Sequence, residues 1–72
     1  MATRGDAVQA AQEAEPLLER ALGIKEAKLG PDDVSVAVAL HELAVCVREA
    51  GRPGEAVPLL ERALEIDEAK LG

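Results

Sequence analysis

The chain has 72 residues, no Trp, Tyr or Phe, one Cys, one His, and 14 acidic against 8 basic side chains. A single domain of this length buries only about 60% of its unfolded surface, which leaves no room for a deep catalytic cavity. The net charge of -6 and the missing rings exclude the two ordinary grips on nucleic acid, phosphate neutralisation by Lys and Arg and base stacking on aromatics.

Residues 1–5 read as a flexible N-terminus. From Asp6 a first helix is predicted over 6–29, with Pro16 as its discordant residue. An interior proline lacks the N–H that bonds four residues back and costs ~3 kcal/mol, so a kink between Ala11 and Pro16, or a separate short turn before it, is expected. Gly30 supplies a left-handed stop. The segment from Val34 to Leu40 alternates with period two and is rich in Val, which in isolation reads as a strand. A helical stripe of Val36, Ala37, Leu40, Leu43, Ala44 and Val47 runs on beyond it, and a lone strand would have no partner for its hydrogen bonds. With Asp33 as N-cap and Gly51 then Pro53 as the stop, a second helix is predicted over 33–50. The third, over 53–70, opens on Pro53, which suits the first helical position, and on Glu55 at the favourable dipole end. Ala56, Leu59, Leu60, Ala63, Leu64 and Ile66 give it an apolar face, and Gly72 ends it. Short connections make the neighbours antiparallel, so the fold class is all-α, built from helix hairpins.

The first and third helices share a sequence. Residues 13–30 read EAEPLLERALGIKEAKLG and residues 55–72 read EAVPLLERALEIDEAKLG, fifteen identities in eighteen positions at a shift of 42. The differences are Glu15/Val57, Gly23/Glu65 and Lys25/Asp67. A period of this length is the signature of a stacked repeat, and 72 residues hold one full period plus the second half of another. The expected division is therefore a partial repeat over 6–30 and a complete one over 31–72.

The run Leu40, Leu43-Ala44, Val47, Gly51, Ala56, Leu60 and Ala63-Leu64 resembles the tetratricopeptide repeat, a helix A/helix B hairpin, with Leu40, Val47, Pro53 and Leu60 where that pattern prefers aromatics. The period of 42 in place of ~34, with Pro-Leu-Leu-Glu-Arg-Ala-Leu-x-Ile and Lys-Leu-Gly-Pro-Asp, resembles the longer variant of kinesin light chains. The resemblance implies an α-solenoid fragment of three helices, helix B followed by helix A and helix B, acting as a protein-interaction scaffold without enzymatic activity. It also implies that Val38, His41, Val45 and Arg48 of helix A lie on the concave surface that binds a partner's peptide or helix; their spacing of three, four and three places them on one helix face.

Repeats bury their apolar faces against neighbours, and about three are usually needed for a stable array. The face of the first helix around Leu18, Ala21 and Leu22 is thus expected to lack a partner, and self-association into a homo-oligomer, or exchange of elements between protomers, is the second expected role.

No other chemistry is expected. His41-Glu42 begins like a zinc-protease helix, but Val45 stands where the second His is needed, so no metal or other cofactor is predicted. Cys46 lies about 140° around the helix from His41, too far for a nucleophile and base pair, and reads as a small buried core residue. Arg4-Gly5-Asp6 matches an adhesion tripeptide, but Asp6 has a competing use as a helix cap. The acidic side chains read as solvated helix faces. The longest apolar stretch, Val36 to Leu40, is far short of the ~20 residues that span a bilayer, and no lipidation motif is present. With a lone cysteine and no recognisable export signal, a cytoplasmic location is expected.

Overall fold

In a computed structural model that describes residues 4–71, the chain is three α-helices: α1 (Arg4–Leu29), α2 (Val34–Glu49) and α3 (Pro53–Leu71). No strand occurs among the described residues. The Val-rich segment that alternates in the sequence lies inside α2, where Val36 and Leu40 are fully buried between the other two helices. Tertiary packing overrides the local strand preference of valine.

The helix ends follow from local chemistry. Asp33 caps α2 with its side chain, accepting a hydrogen bond from the Ser35 N–H at 2.8 Å. Gly30 and Gly51 both take positive φ, +90° and +93°, a conformation that disfavours any residue with a Cβ. At the second of these, the Gly51 N–H bonds the Arg48 carbonyl and the Arg52 N–H bonds the Val47 carbonyl, closing the chain tightly into α3. The expected stop at Gly72 lies outside the described residues, as do residues 1–3 of the start expected to be flexible over 1–5; Arg4 and Gly5 of that start are helical, so α1 begins two residues before Asp6. Arg4, Gly5 and Asp6 already belong to α1, so the adhesion-like tripeptide is helical.

Pro16 neither ends α1 nor is preceded by a separate turn; the helix is continuous through it, as α3 is through Pro58. Pro16 is on the exposed side, next to the exposed Gln12, whose carbonyl is the group deprived of a donor. A carbonyl facing solvent loses less than a buried one.

α2 is the central element, packed on α1 along one side and on α3 along the other. The core joins Leu22 of α1, Val36, Leu40, Leu43 and Val47 of α2, and Ala63 and Ile66 of α3, with Leu18 and Leu59 at its edges. A second, smaller cluster under the first turns of α1 contains Ala11, Cys46 and Ala50. Small residues at Ala44, Ala56 and Ala63 are buried, and the larger Leu and Val side chains fill the space beside them.

The expectation that Leu18, Ala21 and Leu22 would face nothing is corrected in a specific way. Leu22 is buried and Leu18 is packed against the core, both on α2. The open apolar face of α1 is carried by Leu17, Ala21 and Ile24, about a quarter-turn around the helix. The repeated block has two apolar faces, and α1 and α3 use different ones. α3 turns Ala56, Leu59, Ala63 and Ile66 toward α2; the same positions in α1 are Ala14, Leu17, Ala21 and Ile24. α1 turns Leu18 and Leu22 toward α2; the same positions in α3, Leu60 and Leu64, are exposed.

Candidate functional site

The helix of α2 buries one side between its neighbours and leaves a ridge on the other. Val38, His41, Val45 and Arg48 are all exposed on that ridge, with the two valines 48% and 42% accessible. The i, i+3, i+7, i+10 spacing makes them neighbours along one face. Val34, one turn further toward the N-terminus and equally exposed, extends the same apolar line. Its place at the helix start, where it reads as a residue flanking the cap, hid it from sequence reasoning.

The ridge does not stand alone. On the α3 side, the His41 Nε2 lies 3.8 Å from an Asp67 carboxylate oxygen, so the ring is held toward the third helix at a largely exposed position. On the α1 side, Val45 forms a wall of an open groove of about 330 Å³ with Glu42 and Glu49, opposite Ala7, Ala10 and Ala14 of α1. Arg48 borders a neighbouring hollow of about 440 Å³ with Ala7, Val8, Glu49 and Gly51. These hollows are not legible in the sequence, because their walls are far apart along the chain and only packing brings Ala7, Ala10 and Ala14 beside α2. The ridge thus has a polar edge at His41 beside Asp67 of α3 and an apolar shoulder at Val45 sloping into a groove against α1.

Beneath the groove, the Cys46 thiol donates a hydrogen bond to the Ala11 carbonyl at 2.8 Å. Burial, and secondarily the Glu49 carboxylate, push the thiol pKa up, so it stays protonated and able to donate. Cys46 therefore ties α2 to α1 and carries none of the features of a reactive thiolate.

Ion pairs link the helices around the site. Arg52, in the turn before α3, pairs with Glu15 of α1 and, at 3.1 Å, with Glu55. Arg62 of α3 reaches Glu26 of α1 at 3.1 Å. Partly exposed pairs of this kind contribute about 0–1 kcal/mol each, so the apolar clusters and not these pairs hold the helices together. Two of the three positions that differ between the repeated segments make contacts between helices: Glu15 pairs with Arg52, and Asp67 lies 3.8 Å from the His41 ring nitrogen.

Among the described residues, no three His, Cys, Asp or Glu side chains gather where they could hold a metal ion, and no helix is long and apolar enough to cross a membrane. The tetratricopeptide repeat family pattern matches residues 7–69, nearly the whole chain. No curated protein and no solved structure matches the chain.

Proposed function

Because the chain belongs to the tetratricopeptide repeat family, whose repeats generally mediate protein–protein interaction, we propose that it is a non-enzymatic docking module whose α2 ridge binds a peptide or helix of a partner protein. The observation that carries this reading is the exposure of Val38, His41, Val45 and Arg48 along one face of the central helix. The two valines supply apolar contact, and His41 and Arg48, two turns apart along one edge of the valine line, orient the bound segment. The groove beside Val45 gives an apolar anchor side chain somewhere to enter. In this reading α1 is helix B of a partial repeat spanning 6–30, and α2 and α3 are helices A and B of a complete repeat spanning 31–72. The 42-residue period supports the kinesin-light-chain-like variant, and the free thiol of Cys46 suits the reducing cytoplasm.

The test is a random-peptide display selection against the chain, followed by titration of the selected peptides. Val38→Glu and Val45→Glu should each abolish binding while the circular dichroism spectrum stays helical, since both side chains are exposed. Unchanged binding by both variants removes the ridge as the site.

A second reading is favoured by a separate observation, the exposed apolar pairs Leu17/Ile24 on α1 and Leu60/Leu64 on α3. The chain then self-associates through one of these faces. Sedimentation equilibrium from low to high micromolar concentration should show a mass rising above the monomer; a constant monomer mass rejects this reading.

A further inference from the structure

The geometry points to one mode of self-association: two copies pair through α1, antiparallel, about a two-fold axis that passes between Ala14 and Leu17. This inference rests on the self-association reading and names its face, its direction and its register.

The face is identified by the internal repeat. Ala14, Leu17, Ala21 and Ile24 reproduce Ala56, Leu59, Ala63 and Ile66, the positions with which α3 packs against α2. In α3 this face is covered by a helix; in α1 Leu17, Ala21 and Ile24 are open, with Leu17 67% and Ile24 50% accessible, while Ala14 at the α2 edge of the stripe is half-buried beside Ala11 and Cys46. On α1 the stripe is longer, because Ala7 and Ala10 continue it at the same three-and-four spacing. Ala7, Ala10, Ala14, Leu17, Ala21 and Ile24 occupy alternating a and d positions of consecutive heptads, a seam suited to a second helix.

The occupant is a second α1 because the seam is complementary to itself. With the axis between Ala14 and Leu17, an antiparallel pairing sets Ala7 against the partner's Ile24, Ala10 against the partner's Ala21, and Ala14 against the partner's Leu17. A small side chain meets a large one at both ends and at the centre of the seam, and two alanines meet in between. An isologous contact needs this reciprocity. It also lets the helices approach closely without a void.

The flanking charges select this register and direction. In an antiparallel pair the g positions of the two helices lie side by side, and here that sets Glu13 beside the partner's Arg20 and Arg20 beside the partner's Glu13. Sliding the pair by one heptad in either direction brings Glu13 against the partner's Glu13, or Arg20 against the partner's Arg20. A parallel pair in register sets Arg20 beside the partner's Lys25, again like against like. Both Glu13 and Arg20 are exposed and neither is engaged by the ion pairs described above, so both are available to a second copy.

The experiment compares sedimentation equilibrium of the full chain with that of four variants, each checked for helicity. The wild type should dimerise. Leu17→Glu should be monomeric, and Leu60→Glu, on the other open face, should dimerise like the wild type. Arg20→Glu should weaken the dimer by about tenfold, and the exchanged pair Glu13→Arg with Arg20→Glu should restore it. A monomeric wild type rejects self-association altogether. A dimer lost in Leu60→Glu and retained in Leu17→Glu keeps self-association and overturns the α1 seam. A seam-dependent dimer in which the charge exchange restores nothing overturns the antiparallel register.

Discussion

Leu22 of α1 and Leu64 of α3 occupy the same position of the repeated block, yet Leu22 is 9% accessible and Leu64 is 57%. The difference comes entirely from what lies beside each helix: α2 covers Leu22, and no described residue covers Leu64. Leu22→Ala should therefore cost about 2–3 kcal/mol, the transfer and cavity cost of a core leucine, whereas Leu64→Ala should fall within ~0.5 kcal/mol of the wild type. Urea unfolding followed by circular dichroism measures both. Equal losses would mean that Leu64 is covered in solution, by a second copy or another chain.

That pair also marks the limit of what was legible in the sequence. The three helices, the Asp33 cap and the glycine stops at Gly30 and Gly51 are local features, set by residues within one turn of each other, and they can be read directly. The face each helix buries is not local. The block from Ala14 to Ile24 has two apolar stripes about a quarter-turn apart, and its own periodicity gives equal support to either. Only the position of α2 decides between them, which is why the unpartnered face of α1 proved to be Leu17, Ala21 and Ile24. The ridge of Val38, His41, Val45 and Arg48 was legible as one face of one helix. The groove beside it was not, since its other wall lies more than thirty residues away, at Ala7, Ala10 and Ala14.

The hydrogen bond from Cys46 to the Ala11 carbonyl requires a protonated thiol. In the folded chain, burial and Glu49 raise the thiol pKa, so the unfolded thiol ionises first as pH rises. The contribution to stability is fully present below the ordinary thiol pKa and is lost as pH rises through the raised folded-state value. Denaturant unfolding from pH ~7 to ~10 should show the wild type losing stability more steeply than Cys46→Ala, which has no thiol to ionise. Parallel curves for the two proteins would remove the thiol as a contributor.

Asp33 holds the first turn of α2 through the Ser35 N–H. Because α2 contacts both other helices, loosening its start affects the whole fold and also the N-terminal end of the ridge. Asp33→Ala should cost about 1 kcal/mol and Asp33→Asn much less, since the amide oxygen accepts the same bond. Thermal unfolding of the two variants provides the comparison, and equal losses would show that the charge near the helix start, and not the cap hydrogen bond, is what stabilises it.

Two glycines should respond to alanine with opposite signs. Gly51 sits at φ +93° in the turn between α2 and α3, where the N–H of Gly51 bonds the Arg48 carbonyl. An added Cβ meets no atom within 4 Å there, so the penalty is conformational and not steric crowding by neighbours. Gly51→Ala should destabilise by about 1 kcal/mol. Gly23 lies inside α1 with ordinary helical backbone, exposed, and its Cβ direction is also open. At the equivalent position α3 carries Glu65, so a side chain is already accommodated in that turn of the repeated block. Gly23→Ala should stabilise by about 0.5–1 kcal/mol, because alanine loses less backbone entropy on entering a helix. Gly23 lies on the far side of α1 from the seam, roughly 100° or more around the helix from both Ala21 and Ile24, so its effect should not depend on pairing. A gain in stability that is the same at low and high protein concentration would place the effect within the single chain, and a gain that grows with concentration would place it at the paired helices.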